Sequence, residues 1–82
     1  MDICESLMIA LGGPRNIKDV EPCAMRVRVE VIDQRLVDET RLRIPEVLAV
    51  VRSGSVVQII AGTHSDSLAE GLILRLKNRV AV

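Results

Sequence analysis

The stretch 25–31 constrains the fold more than any other part of the chain. Met25, Val27, Val29 and Val31 alternate with Arg26, Arg28 and Glu30. Successive side chains of a strand point to opposite faces, so this pattern describes a strand with one apolar, buried face and one polar face. The rest of the chain has to supply whatever covers the apolar side.

The other segments can be read by the same logic. Residues 2–11 place Ile3, Leu7, Met8 and Leu11 at helical spacing, with Cys4 on the same stripe, and Gly12-Gly13-Pro14 stops that helix. Residues 17–21 read as a short strand, after which Pro22, lacking a backbone donor, favours a turn or a sheet edge. A mixed, charged segment over 34–43 reads as a short helix ended by Pro45. The β-branched runs 47–52 and 56–61, joined through Ser53-Gly54-Ser55, predict a hairpin that ends at Gly62 and Thr63. Ser67 followed by Glu70 has the capping-box spacing, and Leu68, Leu72 and Leu76 then mark an amphipathic last helix. Gly71 inside it costs about 1 kcal/mol relative to alanine. The order is α-β-β-α-β-β-α, which predicts an α+β two-layer sandwich: a four-stranded antiparallel sheet with helices on one face.

One feature sits awkwardly in that design. The second hairpin is apolar on both alternations, with Leu48, Val50, Val56 and Ile60 on one and Val47, Ala49, Val51, Val57, Ile59 and Ala61 on the other; Gln58 and Arg52 are the exceptions. Either a helix or loop folds over the second face, or that face is a docking surface.

Composition narrows the function. With 82 residues the expectation is a single domain spanning 1–82, and 49% hydrophobic residues suffice for a core built without any Phe, Trp or Tyr. No apolar run approaches the ~20 residues of a membrane span, and no basic start leads into an apolar stretch. Two cysteines are too few for a disulfide framework. These features predict a soluble, reduced, cytoplasmic domain with no membrane insertion of its own. Zero net charge and the lack of aromatic rings argue against nucleic acid as a partner. Two cysteines and one histidine, far apart, predict no metal site, and the glycines form neither a phosphate loop nor a dinucleotide fingerprint.

Chemistry is concentrated around Cys23. It follows Pro22 at the start of the strand that carries Arg26 and Arg28. The thiolate is the nucleophilic form, and nearby guanidinium groups favour it while also offering charge-assisted bonds to a phosphate. Arg26 and Arg28 lie on one strand face about 7 Å apart, close enough to serve one anion. The bland reading remains open at this point: cysteine is often a small buried hydrophobe and strand arginines are often solvated. Cys4, on the apolar stripe, reads as core. A Cys–His hydrolase built on Cys23 and His64 lacks an orienting third group, and the Cys-phosphatase spacing fails because position 29 is valine.

Four stretches carry a family resemblance: Leu11-Gly12-Gly13 with Asn16-Ile17; Cys23-Ala24-Met25-Arg26-Val27-Arg28-Val29; Val56 to Thr63; and Ser65-Asp66-Ser67-Leu68. Together they make the chain similar, from Leu11 to about Leu76, to the enzyme IIB domain of the glucose and N-acetylglucosamine class of the bacterial phosphoenolpyruvate-dependent sugar phosphotransferase system. The resemblance implies a phosphotransferase needing no cofactor. In it Cys23 takes a phosphoryl group from a phosphohistidine of a IIA protein and gives it to a sugar held by a membrane IIC domain. It implies that Arg26 and Arg28 serve the phosphocysteine and that Gln58 lies close by. Two positions depart from the family pattern: Met25 stands where threonine is usual, and Glu21 where aspartate is usual. Those departures support an alternative, a regulatory or poorly active protein-binding copy.

Overall fold

The computed structural model describes residues 2–80, with side chains through Asn78. Helix α1, Ile3–Ala10, begins at Asp2, whose carboxylate accepts from the Glu5 N–H at 2.8 Å. It ends where Gly12 and Gly13 adopt φ of +102° and +88°. A 3-10 turn, Pro14–Asn16, leads into strand β1, Ile17–Cys23, which pairs antiparallel with β2, Arg26–Val31. A second 3-10 turn, Gln34–Leu36, and the single-turn helix α2, Glu39–Leu42, precede the hairpin of β3, Ala49–Ser53, and β4, Val56–Ile60. A last 3-10 turn, Gly62–His64, runs into helix α3, Ser65–Val80. The sheet order is β1-β2-β4-β3, antiparallel throughout.

Alternation decides which side is covered. Val27, Val29, Val31, Val57, Ile59 and Ala61 are buried against Leu7, Met8 and Leu11 of α1 and its exit and Leu68, Ala69 and Leu72 of α3. The helices thus lie on one face of an α+β two-layer sandwich, as the strand pattern requires. Among the described residues no element covers the opposite face of the second hairpin: Val51 is 47% exposed, and Leu48, just before β3, 74%.

Asn16 fastens the corner where α1 meets the sheet. Its buried side-chain amide donates to the carbonyls of Leu11 at 2.7 Å and Asp33 at 3.0 Å, and its oxygen accepts from the Asp33 N–H at 2.8 Å. The amide sits so close to Gly12 that a Cβ there would lie 2.6 Å from Asn16 Nδ2, which is why that turn requires glycine in both shape and space.

Several expectations are corrected. β1 continues through Pro22 to Cys23, because an edge strand has one side with no ladder to donate to. The helix read over 34–43 is divided: Asp33 accepts from the Arg35 N–H and Asp38 from the Arg41 N–H, each capping its own short turn. Ser67 is not an N-cap, since α3 already starts at Ser65 and the Ser67 hydroxyl donates to the His64 carbonyl. Cys4 packs against the core but is half-buried rather than enclosed, lying over α3 at Gly71.

Candidate active site at the first hairpin turn

Cys23 is the last residue of β1, not the first of β2, and it is exposed. It stands opposite Arg26, and Ala24-Met25 form the whole connection between the strands. Both have positive φ, +35° and +69°. A two-residue hairpin loop with two positive φ values is the primed turn whose twist suits the flanking strands, and asparagine and glycine are its usual occupants. An alanine and a methionine there store strain, of order 1 kcal/mol or more each.

This turn overturns the expectation for Met25. Its side chain does not continue the Val27–Val31 stripe; it is 59% exposed at the turn. Its carbonyl accepts from two backbone donors at the end of β4, Gly62 N–H at 3.0 Å and Ala61 N–H at 3.3 Å. The N–H groups of Ala24 and Met25 have no hydrogen-bond partner among the described residues.

The ladder brings the other predicted residues to the open face. Directly opposed residues share a face, so one row runs Cys23, Arg26, Ile60, Ala49 and the next Glu21, Arg28, Gln58, Val51. Arg26 Nη1 donates to Gln58 Oε1 at 2.7 Å, and Arg28 Nη1 lies 3.4 Å from Glu21 Oε1. All five residues singled out in the sequence therefore meet in two adjacent rows at one end of the sheet. Exposed pairs of this kind contribute roughly 0–1 kcal/mol, so the guanidinium groups can turn to an incoming anion at small cost. The free amides of Ala24 and Met25 add two donors with no competing acceptor. Leu48, Val51 and half-buried Ile60 extend an apolar apron beside them.

The turn itself is what the sequence did not disclose, because Pro22-Cys23-Ala24-Met25 holds no glycine or asparagine. One clue was available. Glu21 and Cys23 reach the same face as Arg26 and Arg28 only if an even number of residues separates the strands, and a two-residue connection, which pairs 21 with 28 and 23 with 26, is the shortest that does so. Among the described residues no group of three or more metal-ligating side chains gathers, and no helix is long and apolar enough to cross a membrane. Cys4 has a different setting. Burial pushes its thiol above the ordinary value, against a smaller pull from Arg75.

Residues 5–38, which include Glu21, Cys23, Arg26 and Arg28, match the family model described as phosphotransferase system, EIIB. The N-acetylglucosamine-specific EIIB component of Streptomyces coelicolor is 38% identical over 65 residues, covering 79% of this chain and 84% of that protein. The chain belongs to the EIIB family. EIIB components are phosphotransferases of the sugar phosphotransferase system. Other relatives carry the EIIB unit within longer chains. The N-acetylglucosamine-specific EIICB component of Bacillus subtilis is 38% identical over 93% of this chain but only 17% of its own length. The arbutin-, cellobiose-, and salicin-specific EIIBC component of Escherichia coli is 43% identical over 83% of this chain and 14% of its own. A solved structure of one domain of the IIabc component of Clostridium difficile superposes with a TM-score of 0.71 at 26% identity, covering 93% of this EIIB chain and 77% of that one.

Proposed function

We propose that Cys23 is a phosphoryl relay between a IIA phosphohistidine and a sugar bound to a membrane IIC domain, acting as a single domain on the cytoplasmic side. The observation that carries this reading is the exposed Cys23 at a strand end, flanked by Arg26 in its own row, Arg28 in the next, and two unpaired backbone amides. Exposure is needed because both donor and acceptor belong to other proteins.

In the first step the Cys23 sulfur attacks phosphorus in line. The S–P bond forms as the P–N bond to the partner's imidazole breaks, and the imidazole takes up the proton the thiol loses. In the second step a sugar hydroxyl oxygen attacks the same phosphorus, the O–P bond forms as the S–P bond breaks, and the departing sulfur takes up the hydroxyl proton, which regenerates the Cys23 thiol. Such transfers ask the protein mainly for position and charge stabilisation. Arg26 and Arg28, released from Gln58 and Glu21, balance the equatorial oxygens, while the Ala24 and Met25 amides bond those that face the turn. Glu21 and Gln58 hold the two arginines between transfers. Met25 and the apron of Leu48, Val51 and Ile60 give the partners an apolar rim around the reacting sulfur. No cofactor enters the scheme, and the sugar is selected outside this chain.

The test is phosphorylation by the general phosphotransferase proteins and a IIA protein, read by intact mass. One phosphoryl group gained, and lost in Cys23→Ser, is the expected result. No gain with any IIA protein would reject the relay in favour of a regulatory binding module.

A further inference from the structure

We propose that Gly62 is a positioning residue for the phosphoryl-transfer site: its N–H, aimed by a left-handed backbone, clamps the Met25 carbonyl and so holds the strained turn after Cys23. The proposal rests on the relay reading for its kinetic consequence, although the clamp itself is a matter of structure alone.

A turn of two non-glycine residues with positive φ persists only where its surroundings over-determine it. The hairpin ladder supplies part of that constraint through the Cys23–Arg26 pair. The remainder comes from outside the hairpin, from Ala61 and Gly62, whose N–H groups both converge on the Met25 carbonyl. With that carbonyl held toward β4, the Ala24 and Met25 amides are left with no partner of their own. Loss of the clamp would let the turn relax to an ordinary conformation and carry those amides, and the sulfur beside them, out of place.

Gly62 bears this role because of its backbone and not its size. Its φ is +56°, a region that glycine enters freely and most residues do not. A Cβ would fit without a clash, its nearest neighbour being Leu48 Cδ1 at 3.6 Å, an ordinary contact. Gly62→Ala therefore perturbs the direction of the 62 N–H without overpacking anything. Asparagine tolerates the left-handed region, so Gly62→Asn retains the clamp while adding a larger side chain.

The experiment compares the wild type, Gly62→Ala and Gly62→Asn in two readouts. Backbone 15N order parameters at Ala24 and Met25 report the clamp with no phosphate present. They are expected to fall in Gly62→Ala and to stay at the wild-type level in Gly62→Asn. The rate of phosphoryl transfer from a phosphorylated IIA protein to Cys23 is expected to fall about tenfold in Gly62→Ala, as sub-ångström misplacement of a reacting group does, and to stay near the wild-type rate in Gly62→Asn. Unchanged order parameters in Gly62→Ala would overturn the clamp. So would equal losses in both variants, which would mark a merely structural glycine. A loosened turn with an unchanged transfer rate would overturn the positioning role. If the wild type itself accepts no phosphate, the relay reading fails while the order parameters still decide the clamp.

Discussion

The contact between α1 and α3 makes a sharp prediction about Gly71. In an isolated helix, Gly71→Ala should stabilise by about 1 kcal/mol. In this fold the new Cβ would lie 2.4 Å from Cys4 Sγ and 3.6 Å from Cys4 Cβ. The first separation is more than 1 Å inside normal contact, roughly 3.5–4.0 Å between such atoms. Cys4 has a single side-chain rotation with which to escape, and that rotation carries its sulfur off the packed helix. Otherwise α1 must lift from α3 and loosen Leu7, Met8 and Leu72, all buried between helices and sheet. Overpacking of this kind costs about 1–3 kcal/mol. Against the propensity gain, Gly71→Ala alone should be destabilising by up to about 2 kcal/mol, a loss of roughly 4–8 °C in Tm per kcal/mol for a domain of this size. Cys4→Ala removes the opposing sulfur and should cost about 1 kcal/mol by itself, since the side chain is only half-buried. The double variant should then be more stable than the two losses added together, by at least about 1 kcal/mol, because the methyl occupies the space the sulfur left. Urea unfolding of the four proteins measures this directly. A Gly71→Ala variant that melts higher than the wild type, or additivity within about 0.5 kcal/mol, would refute the packing argument.

Three further outcomes are expected. A neutral alkylating reagent should label exposed Cys23 much faster than Cys4; burial raises the folded pKa of Cys4, so its stabilising effect as a neutral thiol is intact below the ordinary value of 9.0 and is lost as pH rises through the higher folded value, with Cys4 labelling following the same rise. Asn16→Ala strands the Leu11 carbonyl and the Asp33 N–H and takes one of two donors from the Asp33 carbonyl, which keeps the Leu36 N–H; it should cost roughly 2–4 kcal/mol in chemical denaturation, with Asn16→Asp scarcely better because it restores only the acceptor. Replacing Ala24-Met25 by Asn-Gly, the preferred pair for this turn, should raise stability by about 1 kcal/mol in thermal unfolding, whereas Met25→Thr should lower it, since a β-branched residue is badly placed at φ +69°.

What could be read beforehand follows from what alternation and spacing encode. Val27, Val29 and Val31 announced the covered face of β2, and Leu68 and Leu72 the inner stripe of α3, because burial imposes those periods directly. Cys23, Arg26 and Arg28 were legible as a group for the same reason, being neighbours on one ladder. The position of Met25 was not legible, because the constraint on it comes from Ala61 and Gly62, more than thirty residues later, and leaves no local mark. The division of 34–43 was hidden likewise: the Asp38 N–H donates to the Ala10 carbonyl, a tertiary bond that ties the segment to the end of α1 and interrupts a run with helical composition. Strain at the turn is also where sequence rules ought to fail, since a local preference is overridden there by tertiary bonds from Ala61 and Gly62.

The even and odd positions of β2 have separate fates. Val27, Val29 and Val31 are answerable to the core, while Arg26, Arg28 and Glu30 face outward with Val56, Gln58 and Ile60 across the ladder. Substitutions on the outward set usually shift stability by no more than about 0.5 kcal/mol, a small part of the 5–15 kcal/mol typical of a folded domain. Under the proposed relay, a lineage can therefore retune rate or choice of partner by drifting through one parity of a six-residue strand without touching the other. The same separation invites a selection experiment in which only outward positions are randomised, with every surviving sequence expected to share one fold while differing in the phosphate donor it accepts.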